Sequence, residues 1–178
     1  MRKIAIFDLD GTLADTDAAN SASYRAALAR AGYRNMFGLV GRVTADVVRA
    51  AMGDAAAILS DDIVKAKVEA YCRELWRASL GPANEAFRWV LVNRNMFDKV
   101  VLLSDGNERR VMETLNHFGW KNLFGEIVCN GGKGDKYANY FGDFDSDPAT
   151  CVVWENEEGQ IKSAIAAGVK MENIRKVG

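Results

Sequence analysis

Five short apolar runs punctuate the chain: IAIF at 4–7, VVLL at 100–103, EIVC at 126–129, CVVW at 151–154 and NIRKV at 173–177. They are rich in β-branched residues, bounded by turn formers, and in the main apolar at successive positions. That pattern predicts strands buried on both faces, as in a parallel sheet. Between the later runs the pattern changes to a helical period. NERRVMETLNHFG opens on Asn107 as an N-cap and closes on Gly119, and EGQIKSAIAAG closes on Gly168. Strand and helix in alternation predict an α/β fold with a doubly wound, mostly parallel sheet.

The stretch from about 15 to 95 breaks this alternation, because it holds no convincing strand. ANSASYRAALARAG, TADVVRAAMG and SDDIVKAKVEAYCRELWRASLG all read as helices. In the last, Val64, Val68, Tyr71, Cys72, Leu75 and Trp76 form one stripe that reads as core packing. A small helical domain over 17–81 is therefore expected to interrupt an α/β domain made of 1–16 and 82–178, with Gly81-Pro82 marking the return.

Composition narrows the function. The chain has 178 residues, 49% of them hydrophobic, enough for a sizeable core. Its net charge of −1 and dispersed charges argue against a nucleic-acid polymer or a membrane surface as partner. The apolar part of MRKIAIFDLDG is too short and too acidic for a signal peptide or membrane span, so a cytoplasmic protein is expected. Cys72, Cys129 and Cys151 form no CxxC pair and read as buried thiols of a reducing compartment. Oligomeric state has no signature in the sequence.

The candidate chemistry begins where the first strand ends. In KIAIFDLDGTL, Asp8 and Asp10 are two apart, so an extended chain would point both carboxylates the same way, at a cost in repulsion unless a cation or a reaction needs them. Gly11 permits a sharp turn, and Thr12 can hydrogen-bond the loop or an acid. DLDGTLADTD resembles the first motif of the haloacid dehalogenase-like phosphatases, and the resemblance extends along nearly the whole chain. VVLLSDGN is similar to the second motif and implies that Ser104, with Asp105 beside it, meets the phosphate. CNGGKGDKYANYF offers two lysines for the third motif. Lys133 is preferred because KGD resembles the family string, and Lys136 is the alternative, brought inward if a helix turn carries it. The insertion after the first strand resembles the helical cap of the phosphoglycolate phosphatase and β-phosphoglucomutase branch.

CVVWENEEGQIKSAIAAGV resembles the fourth motif, with a departure: Asn156 stands where an aspartate is usual. The resemblance implies a Rossmann-like core and a Mg2+ held by Asp8, Asp10, Glu155 and Asn156, the amide being a weaker ligand than a carboxylate. It further implies an aspartyl-phosphate on Asp8, proton transfer by Asp10, and a small phosphorylated metabolite, a sugar phosphate or nucleotide, as substrate. A phosphomutase, or a binding protein weakened at Asn156, are the alternatives. Four further signals are set aside. DFDSDP lacks the glycine and the distal glutamate of a calcium loop, because Pro148 and Trp154 stand there, so it reads as an acidic surface loop. His117 suits a helix C-terminus, Asp15 and Asp17 an N-cap, and Arg42 the surface as readily as an anion anchor.

Overall fold

The computed structural model describes residues 3–33, 43, 47, 48, 50, 61–144 and 146–178. Two compact units emerge, one of Met1–Asp15 with Leu80–Gly178 and the other of Thr16–Ser79. The first is built on a five-stranded, wholly parallel sheet of β1 (Lys3–Phe7), β4 (Phe97–Ser104), β5 (Glu126–Cys129), β6 (Cys151–Glu155) and β7 (Ile174–Lys176), in the order β5-β4-β1-β6-β7. Phe7 is level with Leu102 on one side and Trp154 on the other. The carboxyl ends of β1, β4 and β6 therefore finish at one edge, which is where open parallel sheets present their ligand sites.

Both faces of this sheet are covered, which is why its strands are apolar at successive positions. Ala5, Phe7, Leu102 and Trp154 point to one face and pack under α3 (Asn84–Val92) and α4 (Glu108–His117), through Phe87, Val90, Val111 and Leu115. Phe7 stacks on Trp154 at 4.3 Å and meets Phe87 edge-on at 5.2 Å. Ile6, Val101, Leu103 and Val153 point to the other face, against α5 (Lys136–Asp143) and α6 (Glu158–Ala166), through Tyr137, Tyr140 and Ala164. Asn107 accepts from the backbone N–H of Arg109 and so caps α4, and Gly119 and Gly168 follow α4 and α6 with positive φ.

The second unit holds α1 (Asp17–Arg30) and α2 (Asp61–Glu74). Thr16 precedes α1, and Asp17 falls in its first turn, where a carboxylate suits the helix N-terminus. Val68, Tyr71 and Leu75 are buried and Cys72 is half-buried, but Trp76 is 67% exposed, with the Arg77 guanidinium 4.1 Å from its ring. The helical stripe ends there because α2 stops at Glu74 and the chain tightens into a 3-10 turn over Leu75–Arg77. Arg42 and most of TADVVRAAMG lie outside the described residues.

Three further readings change. Two short strands, β2 (Ala14–Asp15) and β3 (Ser79–Leu80), pair with one another where no strand was expected. Helix α3 has no counterpart in the sequence reading. The cysteines are thiols, but only Cys151 is fully buried. In DFDSDP, Asp147 caps the turn Pro148–Thr150 by accepting from Ala149 N–H at 3.0 Å. No described helix is long and apolar enough to cross a membrane.

Gly81 fixes the point at which the chain re-enters the first unit. Its N–H donates to the Leu13 carbonyl at 2.7 Å, and the Ala83 N–H to the Thr12 carbonyl at 3.0 Å. A Cβ on Gly81 would lie 2.3 Å from the Thr12 carbonyl oxygen. Gly81→Ala must therefore push two backbones apart, and we expect a loss of about 1–3 kcal/mol, read as a fall of several degrees in the circular-dichroism melting temperature. Gly142→Ala, where nothing lies within 4 Å, serves as the control without that loss.

Candidate active site

β1 ends at Phe7, and Asp8 and Asp10 stand at the turn just beyond it; the Asp8 N–H still donates to the Trp154 carbonyl at 3.1 Å, and Leu9 packs in the same cluster as Ala5 and Phe7. The turn is tight: the Leu9 carbonyl accepts from the N–H groups of Thr12, Leu13 and Ala14, and Gly11 takes φ +82°. Each aspartate faces its own cation. Asp8 accepts from Lys136 Nζ at 2.7 Å, and Asp10 is gripped by the Arg110 guanidinium through two bonds of 2.8 and 2.6 Å.

The lysine at the carboxylates is Lys136, and this corrects the preference for Lys133. Asp135 caps α5 by accepting from Tyr137 and Ala138 N–H, which makes Lys136 the first helical residue and directs its side chain inward. The preceding loop turns on Gly131, Gly132 and Gly134, all with positive φ, and leaves Lys133 exposed. Lys136 is 2% exposed and also reaches Glu155 Oε2 at 2.8 Å.

Glu155 closes β6 and is fully buried. Besides Lys136, its Oε2 accepts from the Tyr137 hydroxyl at 3.0 Å, while Oε1 accepts from the backbone N–H of Asn156 and Glu157 at 3.0 and 3.2 Å. The carboxylate assigned to a metal thus has four protein donors. Asn156 faces the aspartate turn: Thr12 Oγ1 donates to its Oδ1 at 3.1 Å, and a Cβ on Gly11 would lie 2.3 Å from its Nδ2. Gly11 is required here both by its backbone conformation and by this close approach.

Ser104, the last residue of β4, is fully buried, and its Oγ accepts from Gly106 N–H at 3.0 Å. Asp105, expected beside the phosphate, is held instead by two amides: Asn130 Nδ2 donates at 2.7 Å and Gln160 Nε2 at 2.8 Å. It ties together the loops after β4 and β5 and the start of α6. Arg110, Tyr137, Asn130 and Gln160 were not singled out from sequence. The signal that exists for Arg110 is its place as third residue of α4, where a long side chain leans back over the helix N-terminus toward the strand ends.

The electrostatics follow from counting charges. Asp8 and Glu155 carry two negative charges against one on Lys136, in a buried setting. Burial pushes Asp8 up to about 7; Lys136 opposes this, and Glu155 and Asp10 add to it. Burial alone would lower the Lys136 ammonium, but Asp8 and Glu155 outweigh it and hold Lys136 above its ordinary value. The uncompensated negative charge, with the Asn156 amide oxygen at the same turn, is chemistry that suits a hard cation. Among the described residues, no three His, Cys, Asp or Glu side chains form a group that could hold a metal.

The sequence matches the model of the haloacid dehalogenase-like hydrolases over residues 5–174, and the chain belongs to that family. Comparison with curated proteins gives no match. Among solved structures, CbbY from Rhodobacter sphaeroides in complex with phosphate is similar with a TM-score of 0.71 and 17% identity, over 96% of this chain and 84% of that one. A mutant of CbbY is known in complex with xylulose-(1,5)bisphosphate. A Thermotoga maritima protein assigned as a β-phosphoglucomutase gives 0.67 and 21%, over 98% and 84%. A hydrolase of the family from Deinococcus radiodurans, with bound phosphate and sodium, gives 0.61 and 20%, over 95% and 79%. At these identities the likeness shows a shared fold.

The raised Asp8 has a consequence for stability. Because its folded value lies above the ordinary carboxylate value of 3.8, its contribution is fully present below that value and is lost as pH climbs toward about 7. In chelator-treated protein, the melting temperature of Asp8→Asn should therefore gain on wild type by several degrees between about pH 4 and about pH 8. Asn keeps an oxygen that can accept from Lys136 and has no proton to lose, so a difference that stays flat with pH would contradict the burial argument.

Proposed function

We propose that the protein is a magnesium-dependent phosphatase of small phosphorylated metabolites, working through an aspartyl-phosphate on Asp8. The observation that carries this reading is the buried Asp8 carboxylate, 2.7 Å from the Lys136 ammonium, at the sheet edge where β4 ends in Ser104. A phosphate monoester repels a carboxylate nucleophile, so the site has to spread the charge of the transferring group before attack. Lys136 provides a fixed positive charge for this. The Ser104 hydroxyl and the backbone N–H groups of the loop after β4 grip the equatorial oxygens.

Asp8 attacks phosphorus and takes the phosphoryl group. Asp10 gives a proton to the leaving oxygen, then removes one from the water that hydrolyses the acyl phosphate. A bound Mg2+ would be held by Asp8, the Asp10 carbonyl and the Asn156 amide, and supplies charge neutralisation at the phosphoryl oxygens. Glu155 serves by holding Lys136, since its oxygens are engaged by Lys136, Tyr137 and two backbone N–H groups. The sugar bisphosphate bound to a mutant of CbbY supports taking sugar phosphates as the first candidate substrates.

The test is phosphate release from a panel of phosphometabolites with and without Mg2+. Asp8→Asn should abolish turnover while leaving the fold intact. Lys136→Ala should cost on the order of 10²-fold or more in kcat, and Lys133→Ala little; the reverse ranking would contradict the placement of the lysine. Asn156→Asp should lower the Mg2+ concentration needed for half-maximal activity, because a charged ligand replaces a neutral one at nearly constant shape. An unchanged requirement would remove Asn156 from the metal.

A further inference from the structure

The Arg110–Asp10 pair belongs to no role described so far. Arg110 sits in the first turn of α4, and its guanidinium bonds both oxygens of Asp10, at 2.8 Å from Nη1 and 2.6 Å from Nη2. The side chains are 14% and 18% exposed, so this is a partly buried fork rather than a surface ion pair. Its route runs across Gly106: a Cβ there would lie 2.6 Å from Arg110 Nη2 and 3.1 Å from Ser104 Oγ. The guanidinium, the Ser104 hydroxyl and the Asp10 carboxylate thus converge on one small space that is open because residue 106 has no side chain.

We infer that Arg110 is a positioning residue: its fork fixes the plane of the Asp10 carboxylate beside the phosphate-gripping end of β4, and so aims Asp10 at the leaving oxygen. The inference rests on the reading of Asp10 as the proton-transfer group. A single carboxylate on a turn swings about χ1 and χ2, and only one arrangement puts an oxygen within proton-transfer reach. Two parallel bonds to a planar partner remove that freedom, and they leave on each oxygen a second lone pair on which the transferred proton is carried. A lysine would supply the charge but only one point of contact.

This account separates Arg110 from a substrate anchor and from a merely structural ion pair. With an alkyl phosphate that the wild type turns over, Arg110→Gln should lower kcat by about tenfold or more while KM stays close to wild type, as expected for a misplaced catalytic group. With p-nitrophenyl phosphate the pre-steady-state release of nitrophenolate, which reads the first step alone, should be little slowed, because nitrophenolate leaves without a proton. Arg110→Lys should stay impaired on the alkyl substrate, and it is the second variant if Arg110→Gln does not fold. In an Asp10→Asn background, Arg110→Gln should cost nothing further.

A raised KM with kcat unchanged would overturn the inference by placing Arg110 on the substrate. Full activity of Arg110→Lys, or equal slowing of the first step with both leaving groups, would overturn the fork argument. If the wild type is active and Asp10→Asn is impaired but Arg110→Gln is not, the inference fails and the phosphatase reading stands. No phosphate release by wild type from any member of the panel would overturn both.

Discussion

One buried ammonium shared by two buried carboxylates sets the terms for the rest of the site. Lys136 touches Asp8 at 2.7 Å and Glu155 at 2.8 Å with almost no access to water. A buried ion pair offsets its desolvation only when the remaining polar atoms are also satisfied, and here they are: Glu155 has Tyr137 and two backbone N–H groups besides. Among the described residues no buried side-chain nitrogen or oxygen lacks a partner. The negative charge left over falls on Asp8, which is where a reaction with an electrophile needs it and where a cation would be drawn. Asp10 does not draw on the same ammonium, because Arg110 has taken it.

The geometry that permits this is set well away from the charges. The parallel register brings the ends of β1, β4 and β6 level, so Asp8, Ser104 and Glu155 share one edge although they are far apart in sequence. Lys136 arrives from a fourth direction, at the start of α5, and its position depends on Asp135. That carboxylate accepts from two backbone N–H groups and from Ser163 on α6, and the Ser163 bond leads the causes that hold it below its ordinary value. Asp105 ties the same loops with Asn130 and Gln160. Charge at the centre is thus held by amide and hydroxyl contacts around it.

How far the sequence speaks for itself varies with the range of the interaction concerned. The five strands of the main sheet could be read because burial on both faces leaves a local trace, and so could the Asn107 cap and the closing glycines of α4 and α6. Asp8, Asp10, Thr12 and Ser104 were visible because they stand at strand ends and in turn chemistry. The choice between Lys133 and Lys136 was not, because it depends on whether a glycine-rich loop or a capped helix comes first, and the cap at Asp135 decides it. Nor was the pairing of Arg110 with Asp10, which spans one hundred positions and leaves no periodic signal. Glu155 was read by type as a metal ligand, and only its contacts reveal four donors. Helix α3 escaped because NEAFRWVLV is short and nearly continuous in its apolar residues.

The central claim is that Asp8 is the atom source of a covalent intermediate, and an acyl phosphate can be caught chemically. Enzyme in steady-state turnover would be quenched, reduced with borohydride and digested, and the peptide carrying residue 8 analysed by mass spectrometry. The account predicts that Asp8 is converted to homoserine only when substrate is present, and that no other carboxylate changes. Sustained turnover with residue 8 unmodified, or with the reduction found at Asp10 or Glu155, would contradict it.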